Sequence, residues 1–146
     1  MTRPRGEGGN AMVEFVYLAV LLMVPLVYVL LSVFQVQRAA YAVSSAAREA
    51  GRVYAASPEQ ASASSTALLA ARLVMRDSGL ELERGELSIS CPRDPCLQPG
   101  GRVFIVVTKE VGLPLLPESI FGRSPASVTV TGKHLQVVDR YRSVAP

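Results

Sequence analysis

The sequence has few of the residues that most catalytic and metal sites need. Its 146 residues include only two cysteines and one histidine, and they contain no glycine-rich phosphate loop and no nucleophile elbow. A structural zinc site usually takes four thiolate or imidazole ligands, and Cys91, Cys96 and His134 provide three. Asp94 and Glu110 have no partner placed for acid–base catalysis. The sequence therefore predicts no enzyme, no metal site, no cofactor and no small-molecule substrate.

Charge is also scarce. Charged residues make up 18% of the chain, against roughly 25% in soluble domains, and the deficit lies mainly in the N-terminal third. The net charge of +3 comes from scattered arginines, with no Lys/Arg block and no aromatic residues interleaved with a basic stripe. This pattern is typical of a solvated surface and does not predict nucleic-acid binding.

A long apolar run fills the charge-free stretch between Glu14 and Arg38. From Phe15 to Phe34 it has 20 residues, and as a helix it would span about 30 Å, the thickness of a bilayer's hydrocarbon core. Signal peptides carry apolar regions of about 7–15 residues, so we do not expect removal of the whole segment. Pro25 lies within the run and predicts a bend, which membrane helices tolerate.

The flanks of the run bear on its orientation. Residues 1–9 predict a short cytoplasmic leader, in which Arg3 and Arg5 favour an inside N terminus. Three arginines between residues 38 and 52 lie on the other flank and oppose this orientation. Because Arg3 and Arg5 lie close to the membrane on a very short tail, we expect the N terminus inside and the C-terminal domain outside.

Glu14 lies at the start of the run, where a carboxylate needs an explanation. A charge deep in a bilayer costs roughly 2.5–3.5 kcal/mol, and less near the interface. Glu14 either marks the cytoplasmic boundary or has a partner. Cleavage after Gly9 would make Asn10 the first residue, and its α-amino group could pair with Glu14, one helical turn away, within the chain or between neighbours.

The residues around Gly9 carry a family resemblance. Gly9 followed by Asn10-Ala11-Met12-Val13-Glu14-Phe15 resembles the processing site of type IV prepilins and pseudopilins. The resemblance implies that a prepilin peptidase cuts on the cytoplasmic side after Gly9 and leaves the apolar helix in place. It also implies that Glu14, at the fifth mature position, serves subunit assembly.

The helical pattern continues beyond the apolar run. A narrow stripe of small and apolar residues has helical spacing, namely Val43, Ala46, Ala47, Ala50 and Tyr54. Such a stripe allows close packing on a partner helix or on the chain's own sheet. Gly51 is a mild weakness, and Ser57-Pro58 ends the helix. We therefore predict one transmembrane and stem helix over 10–56, in which the segment 46–52 resembles TadE-like proteins of tight-adherence pilus systems.

Residues 57–146 predict a small extracytoplasmic domain. Ser57-Pro58-Glu59 is typical of an N-cap followed by proline at N1, so a second helix is expected from Pro58 to about Ser78, with Gly79 just past its end. Cys91 and Cys96 flank a turn with two prolines. A disulfide is the best interpretation of this pair and favours an oxidising compartment, whereas two free thiols would fit the reversed orientation.

Three strands are expected in this domain. Leu87–Ser90 alternates, 103–108 is apolar on both faces and is expected to be central or covered on both sides, and Ser127–Thr131 alternates again. Gly132 suggests a bulge before the strand resumes. We interpret His134 as an exposed strand residue. Residues 112–122 predict an apolar, proline-broken loop that packs on the core or contacts a membrane or partner.

These elements predict an α+β fold with a long N-terminal transmembrane helix, a second helix and a small, mostly antiparallel sheet of three to four strands. The stem helix should pack on one face of that sheet. The function implied by the resemblance is a pseudopilin-like structural or assembly component of a tight-adherence pilus, with prepilin peptidase, the membrane and other pilin or Tad assembly subunits as partners. The alternative is an unprocessed, signal-anchored membrane protein whose outer domain binds a ligand or envelope component.

Overall fold

The computed structural model describes residues 8–113 and 127–142. Its elements are, in chain order, helix α1 (Gly8–Ala56), helix α2 (Gln60–Asp77), a 3₁₀ turn (Arg84–Glu86) and strands β1 (Leu87–Ser90), β2 (Arg102–Gly112) and β3 (Ser127–Val137). The strands form an antiparallel sheet in the order β1-β2-β3. The predicted α+β class is thus confirmed.

Helix α1 is the longest element. It has 49 residues, which corresponds to about 74 Å, and it continues through Pro25. It ends at Ala56, directly before Ser57-Pro58, as predicted. The Ser57 hydroxyl donates a hydrogen bond of 2.9 Å back to the carbonyl of Val53. The predicted N-cap of α2 at Ser57, with Pro58 at N1, is wrong: the N-cap is Glu59, whose carboxylate accepts no capping hydrogen bond.

The predicted stripe of α1 is the centre of the core. All five of its residues are at most 3% exposed. Helix α2 buries residues at four-residue intervals, namely Ala63, Ala67, Ala71 and Met75, and α1 packs against α2, β2 and β3. Gly79 follows α2 with a φ of 68° and lies beside Arg38, so α2 returns along α1 as its antiparallel neighbour.

The sheet presents one face to α1 and leaves the other open. Strand β2 is central, as expected, and its inward residues Val103, Ile105 and Val107 are fully buried. On the opposite face Phe104 is 42% exposed, so β2 is not covered on both sides. Strand β2 also extends beyond the predicted range, to Gly112.

Strand β3 is continuous where a bulge was expected. Gly132 pairs with Val107 in an uninterrupted register, and the prediction of a bulge is therefore wrong. The β2–β3 pairing ends at Gly112 and Ser127. Residues 114–122 of the predicted apolar loop lie outside the described residues.

Candidate functional site

The N-terminal half of α1 is apolar and exposed. Every residue from 11 to 31 is exposed except Tyr28, which is half-buried. Large side chains such as Phe15 and Leu22 are 72% and 70% exposed. Soluble monomers rarely expose contiguous apolar patches above a few hundred Å². This half of α1 is long and apolar enough to cross a membrane, and this suggests that the protein associates with one.

The predicted processing residues lie at the start of this half. Gly9 and Asn10 belong to the first turn of α1, and Glu14 follows one turn later with an exposed side chain. Within residues 11–113 and 127–142, no ion pair or side-chain hydrogen bond involves the Glu14 carboxylate. The helix thus presents an acidic group at the edge of its apolar surface.

Ser32 is the first buried residue along the described part of α1. This residue is 9% exposed, and its hydroxyl donates a hydrogen bond of 2.9 Å to the carbonyl of Tyr28. Further along, Ala39 is 1% exposed. The core of the domain begins at Ala39, and residues 35–38 lie between it and the end of the apolar run at Phe34.

Two glycines set how closely the sheet approaches α1. A β-carbon built on Gly132 would overlap the carbonyl group of Val43 and lie 2.7 Å from the nitrogen of Ser44. One built on Gly51 would lie 3.0 Å from side-chain carbons of His134 and Ile105. Gly132 therefore brings a strand into backbone contact with the helix, and Gly51, predicted only as a weak point of the helix, is a packing position.

His134 contributes to this interface. It is half-buried on the sheet face toward α1, and its Nε2 lies 3.2 Å from Oε1 of Gln136. The expectation of an exposed strand residue was thus wrong. Among the described residues no cluster of three or more His, Cys, Asp or Glu side chains could hold a metal ion.

The far end of the domain, away from the exposed half of α1, is held by the cysteine loop. Cys91 and Cys96 form a disulfide, with their Cα atoms 5.5 Å apart, as predicted. Within the loop, the Asp94 carboxylate accepts a hydrogen bond of 2.9 Å from the Gln60 amide of α2. Burial raises the pKa of the Tyr54 phenol, a nearby serine hydroxyl opposes this rise, and the charge of Asp94 adds to it.

Arg142 ties the chain's C-terminal part to the turn between the two helices. Its guanidinium donates to the carbonyls of Ala55 and Pro58 at 2.8 Å each and also to that of Ser57. The Ala55 carbonyl lies in the last turn of α1, where intrahelical partners are missing, and the other two carbonyls lie in the connection to α2. The contact closes the far end of the domain and was not visible in the sequence pattern.

An open cavity of about 340 Å³ lies beside the cysteine loop. Its lining residues are Pro92, Arg93, Gln98, Pro99, Gly100, Gly101 and Arg102. Both arginines are exposed. The cavity offers two cationic groups and one amide, which suit an anionic or polar ligand.

No protein-family model, no curated protein and no solved structure matches this chain.

Proposed function

We propose that this chain is a pseudopilin-like structural or assembly component of a tight-adherence type IV pilus. One observation carries the proposal. The Gly9-to-Glu14 segment opens a helix whose first half is apolar and exposed and whose second half is the core of a small domain. A subunit that is first held in a membrane and then packs laterally against neighbouring subunits needs one helix with an exposed apolar half and a half that belongs to a folded domain.

Processing would take place in the first turn of α1. A peptidase needs an extended bond, and a helix end is the easiest part to unwind because its first four N–H groups have no intrahelical partner. Glycine is a poor helix former, so Gly8 and Gly9 add little intrinsic stability to this end of α1. Cleavage after Gly9 would leave the rest of α1 intact and create an amino group at Asn10.

The Glu14 carboxylate would form an ion pair with that amino group. In the described residues this carboxylate has no partner, and a charge beside lipid is stabilised by pairing. The amino group of the same chain or of a neighbouring subunit supplies the opposite charge. The domain would lie on the extracytoplasmic side, and the disulfide supports this orientation because such bonds persist in oxidising compartments.

Mass spectrometry of the mature protein tests the processing step. In cells with an active prepilin peptidase, we expect a chain that lacks residues 1–9 and begins at Asn10. Gly9→Leu should retain the leader, because a large side chain replaces the small residue at the cut, whereas Gly8→Ala serves as the matched control and should be processed. An intact leader on the unaltered protein would refute the pilin proposal.

Glu14→Gln tests the assembly step. The substitution keeps the shape of the side chain and removes its charge, so we expect normal cleavage but impaired pilus formation. Glu59→Gln, which neutralises an exposed acid at the start of α2, is the matched control and should assemble normally. Equal pilus yields from the two variants would contradict a role for the Glu14 charge.

The cavity beside the cysteine loop favours a second candidate. A signal-anchored protein that keeps its leader could use Arg93 and Arg102 to bind an anionic envelope component or ligand. An intact leader, together with binding of an anionic polymer that is lost in Arg93→Gln, would support this function over the first.

A further inference from the structure

We propose that the end of the sheet formed by Gly112, Leu113, Ser127 and Val128 rests on the bilayer that α1 crosses. The inference depends on the membrane-spanning part of the proposed function, and it does not depend on processing or on pilus assembly. It assigns a lipid-facing surface to a part of the domain that lies more than 75 residues after the apolar run.

Two contacts fix how β3 lies along α1. Gly132 lies against Val43 and Ser44, and Gly51 lies against His134 and Gln136. Between these contacts the strand advances about 10 Å and the helix about 12 Å. The strand and the helix therefore run side by side in the same direction.

The same register locates the end of the sheet. Ser127 precedes Gly132 by five residues, which is about 16 Å of strand and corresponds to about 11 residues of helix. Counting back from Val43, Ser127 lies at the level of Ser32. The apolar run ends only at Phe34, so the end of the sheet reaches the level of the hydrocarbon boundary.

Burial along α1 supports this placement. Ser32 is 9% exposed, whereas Phe34, on another face of the helix, is 66% exposed. A domain held above the bilayer would need an exposed polar stretch of helix between the apolar run and the core. Here this polar stretch has only four residues, 35–38, which is about 6 Å of helix, so the core begins close to the end of the apolar run.

The chemistry of this end suits a lipid surface. Val128 is 37% exposed and Leu113 is half-buried. Two charged groups of the described residues near this end have partners: the Lys109 ammonium lies 2.8 Å from the Glu86 carboxylate, and Glu110 accepts a hydrogen bond from the Ser127 hydroxyl. Contact with lipid at this end would thus leave neither charge without a partner.

The chain contains no tryptophan, so a single introduced tryptophan reports from one position. The full-length Val128→Trp protein would be reconstituted in phosphatidylcholine vesicles with and without bromine on the acyl chains. The matched control is Val137→Trp, because Val137 lies on the same strand and is 51% exposed. We expect at least about twofold quenching for Val128→Trp and little for Val137→Trp, which lies about 30 Å farther along β3.

Ser127→Trp provides a second probe if Val128→Trp does not fold. Ser127 is exposed, and the same quenching is expected. Vesicle flotation tests membrane insertion separately from the contact between sheet and bilayer. A protein that fails to float with the vesicles would refute membrane insertion and this inference with it. A protein that floats but shows equal, weak quenching at 127, 128 and 137 would refute only the contact between sheet and bilayer.

Discussion

Replacement of Gly132 by alanine tests the contact that joins the sheet to α1. The added β-carbon would overlap the carbonyl group of Val43 and lie 2.7 Å from the nitrogen of Ser44, whereas ordinary contacts begin at 3.4 Å. Both obstacles are backbone atoms in the middle of a helix, so no change of rotamer can relieve the overlap. Strand or helix must move by about 1 Å, against close-packed neighbours.

The size of the effect follows from two opposing terms. Overpacking of a well-packed core costs about 1–3 kcal/mol, and the upper end applies because Val43 and its neighbour Ala47 are fully buried. Loss of backbone freedom in the unfolded chain gives back about 0.4–1 kcal/mol when alanine replaces glycine. The net destabilisation is therefore about 2 kcal/mol, equivalent to a fall in Tm of roughly 8–16 °C for a domain of this size.

Thermal unfolding of the full-length protein in detergent micelles, followed by the near-ultraviolet circular dichroism of its tyrosines, measures this shift. Gly112→Ala is the matched control. Gly112 lies on the neighbouring strand of the same sheet, and a β-carbon there meets no atom within 4 Å. We expect the control to keep or slightly raise the Tm. The same Tm for both variants would refute the close approach of β3 to α1.

Three further predictions concern stability. Gly51→Ala should change the free energy of unfolding by less than about 1 kcal/mol, because its two nearest obstacles, at 3.0 Å, are the side-chain ends of His134 and Ile105, which can shift, and alanine gains about 1 kcal/mol of helix propensity; a loss as large as that of Gly132→Ala would contradict this. Replacing Cys91 and Cys96 by serine opens a ring of six residues and should cost about 2 kcal/mol, measured as a lower denaturant midpoint that a reducing agent does not lower further. Because burial raises the pKa of Tyr54 above 10.0, its contribution is complete below pH 10 and is lost as the pH rises above that value, where the unfolded chain releases the proton first. Tyr54→Phe should therefore lose less stability between pH 9 and 11 than the unaltered protein, and parallel curves would refute the assignment.

The long periodic elements could be predicted from the sequence because their signal is local. The stripe from Val43 to Tyr54 repeats at helical intervals, and a stripe of this kind is buried wherever the helix finds a partner. The sequence left two partners open, another helix or the chain's own sheet. In the structure the stripe packs within the chain's own domain, so the stripe itself is not available to lipid or to other subunits, whereas the apolar half of α1 is exposed.

The errors share a physical cause, since each concerns a residue whose role depends on a distant part of the chain. Ser57 before a proline has the local features of an N-cap, but its hydroxyl bonds backward to α1 and its carbonyl binds Arg142, 85 residues away. The local sequence around Gly132 is compatible with a bulge. The contact with the α1 backbone, which the sequence does not show, explains the glycine instead. The processing residues differ from these, because the prediction for Gly9 and Glu14 depends on their spacing in the sequence. Their role stays a prediction, which the mass of the mature protein tests.

Helix α1 runs without interruption from its apolar half into the core of the domain. From Phe34 to Tyr54 the helix extends about 30 Å beyond the apolar run, and a common tilt of about 20° would displace its far end sideways by about 10 Å. Since the helix is also the centre of the core, the whole domain moves with it. If the end of the sheet contacts lipid, that contact would oppose tilting of α1 toward the side of the sheet. Tilting in the other directions would remain unopposed.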